Sequence, residues 1–275
     1  MPISFALAAL LAGSSPDSLA QPLITAERGF AADAQRMGVR LAFLSHFDAE
    51  SWLFRPHPTA ALPALARDPD DGTPLEWGPD LAGTAASGDM GFTSGPWSAH
   101  APGVERMAHG HFLTIWKRAP DGIWRVQVDG GIGHPALERP ADDVKVLAVA
   151  ADNASLNPKA LDERRSVLER NDDELRRALD AGGDVAAMWR KIADPEFRAL
   201  RSGHAPATGD EAFALISKDA AKVGSGPRRA FDVASSGDLA YTIGGSAECK
   251  ACGNYFRVWH WNGEGWRVLV DLGKP

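Results

Sequence analysis

Ser87-Gly88-Asp89-Met90-Gly91-Phe92-Thr93-Ser94-Gly95 decides the fold, because the chain repeats its pattern as Ser236-Gly237-Asp238-Leu239-Ala240-Tyr241-Thr242-Ile243-Gly244. Each stretch leads into a strand ending in a tryptophan, Trp116 or Trp259. Each is then closed by Asp121-Gly122-Ile123-Trp124-Arg125-Val126 with Asp129, or by Gly263-Glu264-Gly265-Trp266-Arg267-Val268 with Asp271. The offset between copies is 149 residues at the Ser-Gly-Asp turn and 142 at the second tryptophan, so only short loop changes separate them. A period this long is that of tandem domains, since solenoid repeats are several-fold shorter. The length of 275 residues agrees with two domains, each long enough to bury its own core.

Outward from the repeat, the composition excludes several classes. Hydrophobic residues make up 44% and charged residues 24%, which is ordinary globular usage without a disorder signature. The net charge of −7 is not offset by any Lys/Arg stripe, so neither nucleic acid nor an anionic membrane surface is an expected partner. Ile3 to Leu11 is an apolar run too short to span a bilayer. Ser18-Leu19-Ala20 before Gln21 fits a signal-peptidase site, although no Lys or Arg precedes Arg28. Residues 1–20 are therefore read as a signal peptide and the mature protein as periplasmic or secreted. Cys249 and Cys252 lie between strands rather than between a strand and a helix, which disfavours redox catalysis. The reading is a local disulfide or two reduced thiols in a hairpin loop.

Leu23, Ala26, Phe30, Ala34 and Met37 recur at helical spacing, Gly38 stops that helix, and Val39 to Phe47 makes a second short one. A strand over Ser51–Arg55 and a short helix over Ala60–Ala66 follow. Leu75–Ala86, Gly91–Ala99, His109–Arg118 and Trp124–Asp129 then read as antiparallel strands. Helices first and a meander after them argue α+β, with helices on one face of a strongly bent sheet. The second copy repeats this order: a charged helix lined by Leu161, Leu168, Leu175 and Leu179, a helix over Asp184–Ile192, then Phe197–Arg201 matching the strand before Pro56. The domains are set at 21–138 and 159–275, with 139–158 as linker.

Glu50-Ser51-Trp52-Leu53-Phe54-Arg55-Pro56, the Ser87–Trp97 stretch and Gly110–Lys117 with Asp121–Val126 together resemble the SnoaL-like branch of the nuclear transport factor 2-like superfamily. The likeness is to its bacterial domains of unassigned function, and in the second copy it is plain only from Phe231 onward. The resemblance implies two tandem cone-shaped (cystatin-like) α+β domains, each with a pocket between helices and bent sheet. It does not choose a function, because the scaffold carries isomerases, dehydratases, hydrolases, cyclases and non-enzymatic binding or dimerisation modules.

Candidate residues therefore come from the first cone. Asp129 at the end of a strand is a candidate general base, since a carboxylate in an apolar cone has a raised pKa. Glu50 and His57 flank the Ser51–Arg55 strand and complete the candidate catalytic set. Arg55 can meet a ligand carboxylate or pair with Glu50 or Asp129. Trp52, Trp97, His111 and Trp116 are candidate ligand-binding residues. Alternation places Trp52 and Phe54 on one face, with Leu53 and Arg55 on the other. By the same rule Asp129 lies opposite Trp124, Val126 and Val128. His109 and His111 share a face, but no spacing motif supplies a third metal ligand, so no metal is expected, and no nucleotide or other cofactor fingerprint occurs. The expectation is a protein that binds a small, largely apolar organic molecule. The alternatives are a cofactor-independent isomerase, dehydratase or hydrolase, and a structural module in which the two domains pair sheet to sheet within the chain; a homodimer of the whole chain is a further expected partner arrangement.

Overall fold

The computed structural model describes residues 16–68, 72–100, 103–104, 107–137, 143–148, 155–219, 223–249 and 253–275. It is mixed α+β, with two separate sheets, each carrying helices on one face. In the first half, α1 (Pro16–Met37) and α2 (Val39–His46) meet at Gly38, whose φ of 89° lies in the left-handed region that glycine tolerates. Strand β1 (Phe47–Phe54), β2 (Pro58–Ala60) and α3 (Ala61–Arg67) follow. The expected strand Leu75–Ala86 is broken at Gly78-Pro79 into β3 (Leu75–Trp77) and β4 (Leu81–Thr84), as a proline without an N–H demands. Strands β5 (Met90–Ala99), β6 (Ala108–Arg118) and β7 (Trp124–Gly133) form the meander. Strand β8 (Lys145–Leu147), within the segment read as linker, pairs parallel with β4 at the sheet edge. The sheet order is β2-β1-β7-β6-β5-β4-β8, with β3 also on β5.

The second half repeats the plan. Helix α4 (Pro158–Ala181) is capped by the Asn157 side chain and ends at Gly182, and α5 (Val185–Ile192) is capped by Asp184. Then come β9 (Ala193–Arg201), β10 (Ala207–Thr208), α6 (Gly209–Ile216), β11 (Arg228–Val233), β12 (Leu239–Gly244), β13 (Asn254–Trp261) and β14 (Trp266–Lys274). Their order is β10-β9-β14-β13-β12-β11. No helix among the described residues is long and apolar enough to cross a membrane.

One face of each sheet holds its helices: Leu23, Phe30, Phe43, Leu53, Trp116 and Val126 pack together in the first half, and Leu168, Leu175, Trp189, Phe197, Trp259 and Val268 in the second. The other faces meet each other. Phe54, Phe92, Ile115 and Val128 share one buried cluster with Tyr241, Phe256, Val258 and Val270. The two Ser-Gly-Asp turns, read from sequence as turn chemistry, interlock at this seam. Asp238 accepts from the Ala86 N–H at 2.9 Å and Asp89 from the Ser235 N–H at 3.1 Å, while the hydroxyls of Ser87 and Ser236 lie 2.9 Å apart.

One expectation of alternation is corrected. Register shifts between Ile115/Val128 and Trp116/Val126 make Gln127 a β-bulge. Trp124 and Val126 therefore face the helices and Val128 faces the seam, so Asp129 shares the helix side with Trp124 rather than opposing it. The second sheet carries the same bulge at Leu269.

Candidate functional site

The bulge decides what the first cone contains. After it, Asp129, Gly131 and Gly133 lie at alternate positions on the cone side of β7, and two of these three positions carry no side chain to fill the space. A cavity of about 310 Å³ results, lined by Phe30, Phe43, Leu75, Trp77, Trp97 and Phe112, with Arg55, Asp129 and the Gly130–Gly133 backbone. The Trp97 ring lies over bare backbone: a Cβ at Gly110 would come within 2.4 Å of it.

Asp129 is the cavity's buried acid. Its Oδ2 accepts from Arg55 Nη2 at 3.0 Å and its Oδ1 from the Thr114 hydroxyl at 3.1 Å. Burial raises its pKa, against the downward pull of the Arg55 charge and of both hydrogen bonds. Arg55 is half exposed and lies 5.2 Å from the centre of the Phe43 ring, so it stands at the mouth with Asp129 inside. Lys274 from β14 donates to the Phe54 carbonyl behind this wall, and burial followed by repulsion from Arg55 pushes its ammonium down to about 8.

A second buried acid, Glu27 on α1, was not among the sequence candidates. It accepts from Trp77 Nε1 at 2.6 Å, the Thr93 hydroxyl at 2.5 Å and Trp116 Nε1 at 3.0 Å. Burial pushes its pKa up to about 7, with a smaller contribution from the Asp129 charge. The signal was legible: Glu27 falls between Leu23 and Phe30 on the apolar stripe of α1, where a carboxylate is exceptional unless bonded.

The sequence candidates thus divide. Arg55, Asp129 and Trp97 come together at the cavity. Trp116 is fully buried and spends its N–H on Glu27 and Thr93, so it belongs to the core beneath. Trp52 packs on the seam between the sheets, as its alternation with Leu53 requires. Glu50 is exposed, and its backbone carbonyl accepts from Gln127. His57 is half-buried beyond the cis Arg55–Pro56 bond, and neither residue lines the cavity.

His111 lines a different cavity, of about 440 Å³, at the junction of the two halves, with Asp80, His109, His134, Arg198 and Trp97, which also lines the first. His111 Nε2 lies 3.1 Å from Asp80, its Nδ1 2.9 Å from His134 Nε2, and His134 Nδ1 2.7 Å from the Pro135 carbonyl. Acceptors at both ends leave three bonds to be filled from two rings, so the chain is complete only when one ring is an imidazolium. Burial works against this by lowering the His111 pKa. At Asp80 burial raises the pKa, but His111 and Arg198 outweigh it and hold the carboxyl below its usual range. Among the described residues no group of three His, Cys, Asp or Glu side chains is arranged to hold a metal ion.

Neither a family model nor a curated protein matches the chain. Solved structures similar to part of it include an NTF-2-like protein of unknown function from Shewanella oneidensis, at 14% identity and a TM-score of 0.34, covering 40% of this chain and 95% of that one. A nuclear transport factor 2-like superfamily protein from Salmonella enterica shares 14% identity at a TM-score of 0.35, over 44% and 94% of the two chains. A conserved protein from Planctomyces limnophilus shares 17% at 0.32, over 40% and 95%. Each of these similarities spans less than half of this chain. The fold itself rests on the strand order and helices described above.

Proposed function

We propose that the first cone binds a small, largely apolar organic molecule, with Arg55 and Asp129 orienting it. The observation that carries this reading is the aromatic-walled cavity with a buried carboxylate paired to an arginine at its mouth, at the lower end of the roughly 300–1,000 Å³ of small-molecule sites. A closed, aromatic-filled cone would have argued for a purely structural domain. The test is a thermal-shift screen of monocyclic compounds on the whole chain. Binders should raise the melting temperature, and Gly133→Leu, which puts a side chain into the lining at a position with room for one, should abolish the rise while leaving the unliganded melt cooperative. A screen in which no compound shifts the melt, or in which Gly133→Leu responds like wild type, would refute the reading.

A second reading, an isomerase, dehydratase or hydrolase working by acid–base chemistry, draws on the raised pKa of Asp129. Each oxygen of Asp129 already accepts one hydrogen bond, from Arg55 or Thr114, which weakens it as a base but leaves a lone pair on each for a substrate proton. Loss of turnover with binding retained in Asp129→Asn would select this reading over simple binding.

Export completes the proposal. Cys249 is disulfide-bonded, which suits an oxidising compartment, while Cys252 lies outside the described residues. Helix α1 runs across the Ala20–Gln21 bond with Ala20 packed on Ile24 and Ala82. Cleavage there would put Pro22 in the first turn, where its missing N–H costs nothing.

A further inference from the structure

Resting on that binding reading, we infer that the first cone takes a planar cation, an amidinium or guanidinium on an aromatic frame, at the place where the second cone is filled by its own Arg257. The two cones share one framework. In the first sheet Thr114 pairs across the strands with Asp129, and in the second Arg257 pairs with Asp271. Arg257 is fully buried. Its Nε donates to Asp271 Oδ1 at 2.9 Å, Nη1 to Asp172 Oδ1 at 2.9 Å and Nη2 to the Gly224 carbonyl at 2.7 Å. The guanidinium lies 3.9 Å from the centre of the Tyr255 ring and 5.7 Å from that of Trp189.

The surroundings of that guanidinium have counterparts in the wall of the first cavity. Asp129 stands for Asp271 and Arg55 for Arg201, which also donates to its acid, at 2.7 Å. Phe112, two residues before Thr114, stands for Tyr255, two before Arg257. Phe43 and Trp189 are each the fifth residue of the short helix α2 or α5. What the first cone lacks is the guanidinium itself, replaced by the short Thr114 side chain, and a cavity reaches Asp129 between the counterparts of the rings that flank Arg257.

Charge points the same way. Asp271 receives two guanidinium groups, whereas Asp129 receives one and a neutral hydroxyl. Behind Thr93, Glu27 takes the place that Asp172 holds behind Thr242, and it feels the Asp129 charge. Arg55 and Lys274 are the cations near Asp129. Arg201 and Arg257 meet on Asp271, each also held by a second acid, Asp219 or Asp172, and in the first cone Glu27 is the second acid near the site. A flat cation between Phe43 and Phe112 would gain cation–π attraction in a desolvated site as well as the carboxylate contact.

Calorimetric titration of the whole chain with benzamidine, benzyl alcohol and benzoate tests this. The expected result is benzamidine at least tenfold tighter than benzyl alcohol, with benzoate weakest. Thr114→Arg should plug the cone from within and abolish benzamidine binding, with the cooperative melt kept. Should Thr114→Arg not fold, Asp129→Asn gives the same answer, because it keeps the cavity and should erase the preference for benzamidine. Equal binding of benzamidine and benzyl alcohol to the wild type would overturn the cation inference and leave the binding reading standing. Benzoate binding tightest, drawn by Arg55, would overturn it too, as would benzamidine binding unchanged in Thr114→Arg or a preference for benzamidine that survives in Asp129→Asn. No binding of any of the three, together with a blank thermal-shift screen, would remove both readings.

Discussion

Glu27 couples the first cone to pH. A fully buried carboxylic acid raised from 4.5 to about 7 binds its proton more tightly in the folded chain than in the unfolded one. Between those values the folded state holds more protons, so stability falls as pH rises, is unaffected by this group below about 4.5, and is lower by about 3 kcal/mol above about 7. Glu27→Gln should flatten that part of the stability profile in denaturant titrations at several pH values. An unchanged slope between pH 4.5 and 7 would show that Glu27 is not the group. Asp129 lies close by but differs in kind, because Arg55 partly offsets its burial. Removing Arg55 alone leaves that acid unpaired, so Arg55→Ala should cost on the order of 1–3 kcal/mol, read from the urea midpoint. Arg55 and Asp129 were legible singly, from the duplicated Arg201 and Asp271, but their pairing stood beside Glu50 and a ligand carboxylate as partners of Arg55, because the Gln127 bulge hides which way Asp129 turns. Thr114 was not, because its meaning appears only when it is set against Arg257 across the repeat. His111 was legible as a polar group on a strand but not as part of the junction, because Asp80, His134 and Arg198 come from three other segments, one of them in the other half of the chain.

Among the elements, β7 and β14 carry the decisive feature. A single extra residue, Gln127 or Leu269, turns the following acid toward the helices, and strict period-two reading of Trp124–Asp129 misplaces it for that reason. Deleting Gln127 should restore regular β6–β7 pairing with Val128 on the seam and Asp129 still on the helix side, so a chain that still melts cooperatively is the expected outcome, and loss of the cooperative melt would contradict the bulge assignment. The helices were readable from spacing and from Gly38 and Gly182, while the broken β3–β4 strand was signalled only by Pro79. The Ser-Gly-Asp turns, which the sequence offered as local loops, work across the seam instead. Asp238→Ala strips the Ala86 N–H and the Ser236 hydroxyl of their acceptor and should cost about 1–3 kcal/mol. Combined with Asp89→Ala the losses should be non-additive by at least about 0.5 kcal/mol, since both belong to one network. Strict additivity in a double-mutant cycle would show that the turns act separately.

At the scale of the molecule, the two sheets bury one apolar seam between them while their cones have diverged. A charge at that seam, as in Val258→Asp, should unfold both halves together rather than one, and two separate transitions would contradict a shared core. The repeat in the sequence foretold two like halves and pointed to the first cone, because the helical half, the Glu50–Pro58 stretch and His111 are altered in the second copy; the glycines that leave room in the first, Gly131 and Gly133, and the Arg257 that fills the second could not be read from it. The asymmetry is the centre of the account: one cone encloses a cavity walled by aromatics, and the other is filled by its own arginine. Crystals of the whole chain under xenon pressure address it most directly, since xenon occupies apolar cavities that lack a resident group. Xenon density among Phe43, Trp97 and Phe112, with none beside Arg257, is the result predicted. Density in the second cone, or in neither, would contradict it.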